Sequence, residues 1–146
     1  MDNYKKILVA LALDPNSDRP LVEKAKELNV NRDARLYLIH AVEHLSSYGA
    51  AYGVAPGVDL EDMLLEEANK RMNETAFQLN ISSDCQVVKV GPAKFLILEQ
   101  AKNWGIDLIV VGSHGRNGIQ LLLGSTSNSV LHGAQCDVLA VRIKGS

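Results

Sequence analysis

No apolar run in this chain of 146 residues approaches the length needed to span a bilayer. There is no excess of one charge either: the formal net charge is -2, so no basic footprint points to nucleic acid or an anionic membrane. Cysteine is scarce. Cys85 and Cys136 lie far apart, each in an apolar or alternating segment. Buried free thiols are therefore expected, rather than a disulfide or a metal site. The N-terminus has a short apolar run followed by an acid, without a signal-peptide cleavage pattern, and reads as a first strand. A cytoplasmic home is the default expectation. Gly-Lys-Ser/Thr and Gly-x-Gly-x-x-Gly are both missing, which excludes a P-loop and a dinucleotide fingerprint. Internal repeats and low-complexity segments are absent as well.

What remains is ordinary globular composition, 47% hydrophobic and 22% charged, in one domain's worth of chain, residues 1–146. Ile7 to Leu13 is a continuous apolar run that suits a central strand buried on both faces. Asp14 to Asp18 is a turn cluster in which Ser17 or Asp18 can cap a helix, with Pro20 in its first turn. Leu21, Val22, Ala25 and Leu28 carry that helix to about Asn29. Ala34 to Val42 is a second strand. The pattern then dissolves over 43–58, either a functional segment or a plain surface loop. Asp59 can cap a helix running to about Leu79, its apolar stripe made of Leu60, Met63, Leu64, Ala68, Met72 and Ala76. Cys85 to Val90 is a third strand, ended by Gly91. Pro92 opens a helix packed through Phe95 to Leu98, Ala101 and Trp104, which Gly105 closes. A fourth strand, Leu108 to Val111, breaks at Gly112. A helix from about Ser125 to His132 and a strand from Cys136 to Ile143 complete the chain. This alternation calls for an α/β fold: an open five-stranded parallel sheet with helices on both faces. Ligands in such sheets bind beyond the carboxyl ends of the strands. The ends that matter here are Ala12–Asp14, Ala41–Glu43 and Val111–Gly112.

Glycines follow the fourth strand at Gly112, Gly115, Gly118 and Gly124, and Ser125, Thr126 and Ser127 then suit a helix start. Strand, glycine loop and helix start together can hold a phosphate. Bare backbone N–H groups approach the anion, and the helix N-terminus adds unpaired donors. The same glycines also serve plain turn chemistry, and at this level both readings stand. His114 and Arg116 are each either a phosphate contact or an exposed loop residue. His40 is read as a strand-end hydrogen-bonding residue. His44 and His132 have no partners at metal spacing.

Ile7-Leu8-Val9-Ala10, His40, Val111-Gly112-Ser113-His114-Gly115 and Leu122 to Leu131, closing on Asp137 to Val141, resemble the universal stress protein family over the whole chain. The resemblance implies an adenine-nucleotide α-hydrolase-like sheet in strand order 3-2-1-4-5. It also implies a homodimer built on the last strands, where Val138, Leu139, Val141 and Ile143 are apolar. One branch of the family binds ATP through Gly-two-Gly-nine-Gly-Ser/Thr and an acid ending the first strand; the other lacks those glycines. Here Gly112, Gly115, Gly124 and Ser125 match in type, but Arg116 to Leu123 is eight residues, one short. The expected acid falls on Ala12, with Asp14 two residues later as a turn former or a substitute contact. The implied site is therefore Ala12, Asp14, Ala41, Val111, Gly112, Gly115, Arg116, Gly124, Ser125, Thr126 and Ser127, with ATP (and Mg²⁺) or AMP as ligand and no catalytic or metal-ligating residue. Three functions stay open: a non-catalytic stress protein using nucleotide as a conformational ligand, an interaction protein without nucleotide whose partners the sequence does not name, and a slow ATPase.

Overall fold

The computed structural model describes residues 4–29, 33–42, 60–114 and 125–143, with backbone alone for His114 and Ser125. Five parallel strands form one sheet: β1 (Lys6–Ala10), β2 (Arg35–Val42), β3 (Gln86–Val90), β4 (Leu108–His114) and β5 (Asp137–Ile143). Their order is β3-β2-β1-β4-β5, with β1 at the centre. Among the described residues four α-helices connect or precede them: α1 (Pro15–Leu28), α2 (Leu60–Gln78), α3 (Ala93–Trp104) and α4 (Ser125–Gly133).

Alternation along the strands builds a core on each face of the sheet. Ile7, Val9 and Leu11 turn to one side with Leu38, Leu108 and Val110, where Leu21 and Ala25 of α1 and Met72 and Ala76 of α2 cover them. Leu8 turns to the other with Ile39, Ile109 and Val111, beneath Ile97 and Ala101 of α3 and Val130 of α4. The run expected as a central strand, Ile7 to Leu13, is the centre of the molecule, but the strand ends at Ala10 and Leu11 to Leu13 form the loop that leaves it. At the amino ends of the strands, Asp107 accepts the backbone N–H groups of Lys5 and Lys6 at 2.9 and 3.1 Å and locks β4 to β1.

Several local expectations need correction. The helix-capping residue of α1 is Asp14, not Ser17 or Asp18: its carboxylate accepts the Asn16 N–H at 3.3 Å and the Ser17 hydroxyl at 3.2 Å. Pro15 then takes the first helical position, for which its ring is suited, and Pro20 falls inside the helix instead of its first turn. Pro92 likewise stands one place before α3, at its N-cap. β4 does not break at Gly112; it runs on to His114 because β5 pairs with it as far as His114–Ile143. Phe95 (60% exposed) and Met63 (60%) point outward, not into the helix packing, and Leu64 is exposed as well. Of the two free thiols, Cys85 is buried but Cys136 only half-buried. Val141, expected as part of an apolar edge, packs into the α1 side of the monomer core. The segment 43–58 and the Asp59 cap lie outside the described residues.

Candidate functional site

β1 and β4 pair only through Ile7–Leu108, Leu8–Ile109 and Val9–Val110. Beyond that point the two strands part. Leu11 donates its N–H to Ile39 O at 2.8 Å, staying with β2, while β4 stays with β5. The parting lies where the strand order reverses, which is where open parallel sheets leave a crevice for ligands. A cleft of about 420 Å³ occupies it. The ends of β1, β2 and β4 form its floor, and the first turns of α1, α3 and α4 form its walls.

The wall after β1 is held by a buried acid. Asp18, 8% exposed, lies in the first turn of α1 and reaches back to accept the Ala12 N–H at 2.7 Å. Burial pushes its carboxyl above the ordinary aspartate range, while hydrogen bonds from the Ala12, Leu13 and Asp14 backbone pull the other way. Leu13 takes a left-handed conformation, φ 62°, with its side chain buried. That conformation is unfavourable for a leucine, and burial of the side chain offsets it. The Leu13 carbonyl faces Arg71 of α2, with Nη1 at 3.4 Å. On the β2 side, His40 places Nδ1 2.8 Å from Leu11 O. On the β4 side, Ser127 donates its hydroxyl to the Gly112 carbonyl and is itself buried. Gly112 is glycine for a packing reason: a Cβ there would collide with Ile143 Cδ1.

Of the residues singled out in the sequence, Ala12, Ala41, Val111, Gly112, Thr126 and Ser127 come together around this cleft. Asp14 does not line it; its carboxylate is engaged in capping α1. Ser125 begins α4, while Gly115, Arg116 and Gly124 lie outside the described residues. Asp18 and His40 are cleft residues that the sequence did not place in the site. The Asp14-Pro15 pair was the available signal for Asp18. An N-cap followed by proline at the first helical position puts the helix start before Asp18, so that Asp18 lies in the first turn and can reach back to the loop.

The cleft is chemically polarised. Thr126 and Ser127 lie in the first turn of α4, and the first N–H groups of a helix have no intrahelical partner and carry partial positive charge. Asp18 and His40 stand on the β1–β2 side. Among the described residues no group of three or more His, Cys, Asp or Glu could hold a metal ion. None of the described helices is long and apolar enough to cross a membrane.

Comparisons with known proteins agree with this architecture. The family model described as "Universal stress protein family" matches residues 3–142. Universal stress protein A homolog 2 of Coxiella burnetii is 90% identical over 146 residues, covering 100% of both chains. The solved structure of hypothetical protein MJ0577 superposes with a TM-score of 0.77 at 24% identity, over 99% of this chain and 100% of that one. A universal stress protein solved in complex with cAMP superposes with a TM-score of 0.58 at 23% identity, over 98% and 100%. The sheet order 3-2-1-4-5 is that of the adenine-nucleotide α-hydrolase-like fold. With its fold, its sequence and its cleft in agreement, the chain belongs to the universal stress protein family.

Proposed function

We propose that this protein is a non-catalytic, cytoplasmic, dimeric stress-response protein whose cleft holds ATP, with Mg²⁺, or AMP as a conformational ligand. The observation that carries the reading is the cleft itself. It opens where β1 and β4 part, with the start of α4 on one side and hydrogen-bond acceptors on the other. An anion is favoured at the helix start, and a group with O–H or N–H donors is favoured opposite. A nucleotide has both. The cAMP complex of a protein with the same fold supports adenine-nucleotide chemistry. A ligand that binds two arrangements of the cleft walls unequally shifts their populations and so changes the surface offered to partners.

A second reading, an interaction protein without nucleotide, is favoured by Ala12, whose methyl side chain accepts no hydrogen bond from a ligand. Slow ATP hydrolysis has less support. Asp18 and His40 are both tied to backbone groups of the loop after β1, which favours a structural or binding role for each.

Mass spectrometry of the gently purified protein, followed by calorimetry with ATP and AMP, tests the nucleotide reading. The expected result is co-purified or titratable nucleotide. Ala93→Trp, which puts an indole at the cleft wall formed by α3, should weaken binding at least tenfold. The absence of both co-purified nucleotide and binding heat in the native protein rejects the nucleotide reading and leaves interaction alone.

A further inference from the structure

A backbone carbonyl can only accept a hydrogen bond. The 2.8 Å contact between His40 Nδ1 and Leu11 O therefore places a proton on Nδ1. In the neutral ring that leaves a lone pair on Nε2. His40 is half-buried and lines the cleft, and no hydrogen-bond partner of its Nε2 occurs among the described residues. Its orientation is constrained, because the Leu11 bond joins the carboxyl ends of β1 and β2 across the cleft floor. Asp18, the other acceptor on this side, already spends one carboxylate oxygen on the Ala12 N–H. His40 thus lines the cleft with its ring held in place and, in the neutral form, an acceptor at Nε2.

We propose that His40 is a specificity-determining residue of this cleft: its Nε2 accepts a hydrogen bond from an N–H or O–H on the nucleoside part of a bound nucleotide. This rests on the nucleotide reading above. It predicts selection by a single neutral donor on the ligand, either a ribose hydroxyl or an exocyclic amino group. His40 is a binding residue here and takes no proton in a reaction.

The test compares four ligands by calorimetry: ATP, 2′-deoxyATP, 3′-deoxyATP and the purine riboside triphosphate that lacks the 6-amino group. Each is titrated into the native protein, into His40→Asn and into His40→Gln. The asparagine amide can keep the bond to Leu11 O but offers nothing where Nε2 stood. The glutamine amide reaches further and can restore an acceptor there. In the native protein one of the three analogues should bind about tenfold more weakly than ATP, the worth of one neutral hydrogen bond. That penalty should vanish in His40→Asn and persist in His40→Gln. A native protein indifferent to all three deletions overturns the proposal, as does a penalty that persists undiminished in His40→Asn. If His40→Asn fails to fold by circular dichroism, a penalty also lost in His40→Gln overturns it and one kept there supports it. A native protein that binds none of the four ligands refutes the nucleotide reading itself, a different failure from ATP binding with unaltered penalties.

Discussion

Asp18 shows how one side chain shapes a site from a distance. Its carboxylate is buried in the first turn of α1 and fastens the loop that leaves β1. Burial raises its folded pKa above the unfolded value, which lies near 3.9. The sign of the consequence follows from proton counting. As pH rises past the unfolded value, the unfolded chain loses this proton first, while the folded protein still holds it. Stability contributed by the neutral acid is therefore full below the unfolded pKa and falls until pH passes the raised folded pKa. Asp18→Asn keeps an oxygen acceptor for the Ala12 N–H and removes the titration. Urea midpoints followed from pH 3 upward should show the native protein losing stability relative to Asp18→Asn across that window, with a constant difference above it. A pH-independent difference would show that the carboxyl titrates alike in both states. Cys136 is another residue changed by its setting: burial first, then the nearby Asp137 and Asp107 charges, push its thiol up. It is thereby kept in the less nucleophilic, protonated form.

At the scale of elements, strands were easier to read than helix faces. β1 is a run of apolar residues because both its faces are covered, and Leu8 is fully buried beneath α3 and α4. Leu8→Ala should destabilise the protein by roughly 2–5 kcal/mol, the usual range for removing a buried leucine side chain. Chemical denaturation measures this directly; a loss below about 0.5 kcal/mol would put the strand in the surface class. Helices misled in a specific way. Phe95 is apolar yet 60% exposed, because a helix of 12 residues buries only the stripe that meets the sheet. On α2 that stripe is Ala68, Met72 and Ala76, so the more hydrophobic Met63 and Leu64 were misleading guides. The end of β4 was misread for a related reason. Glycine is a poor strand residue on propensity, but Gly112 pairs with Val141, and the space of its missing side chain is taken by Ile143.

For the whole molecule, β5 is the outer strand of the sheet, and the proposed homodimer is placed there. Asp137 donates its N–H to Asp107 O, so by alternation Leu139, Val141 and Ile143 also turn their backbone groups to β4. Val138, Ala140 and Arg142 turn theirs to the outer edge, where no strand pairs with β5 among the described residues. An open edge invites pairing with another strand, and a twofold axis beside β5 would satisfy these groups in both copies at once. The proposed homodimer through the last strand is built this way. Val141 is unsuited to testing it, because a charge there would damage the monomer core. Ala140→Pro removes one outward N–H and leaves the bonds to β4 in place, as edge strands tolerate. Sedimentation at micromolar concentration should show a dimer for the native protein and a monomer for Ala140→Pro; a native monomer would reject this interface.

The fold class was legible from the chain alone. It follows from periodic burial and from local signals such as Gly91, Pro92 and Gly105, which act on neighbouring residues and need no knowledge of the rest. The family and the strand order came from the resemblance of the glycine loop and C-terminal motifs to universal stress proteins, not from periodicity. The gathering of Ala12, Ala41, Val111, Gly112, Thr126 and Ser127 was also accessible, because parallel topology brings strand ends and helix starts to one rim. The roles of Asp18 and His40 were decided only in three dimensions. Their partners are the backbone of Ala12 and Leu11, and every residue carries a backbone donor or acceptor, so no residue type in the sequence marks such a bond. Which apolar residues face outward, and that Val141 faces inward, likewise depended on how the layers stack. A side chain's burial is set by what packs over it, and that neighbour comes from a distant part of the chain.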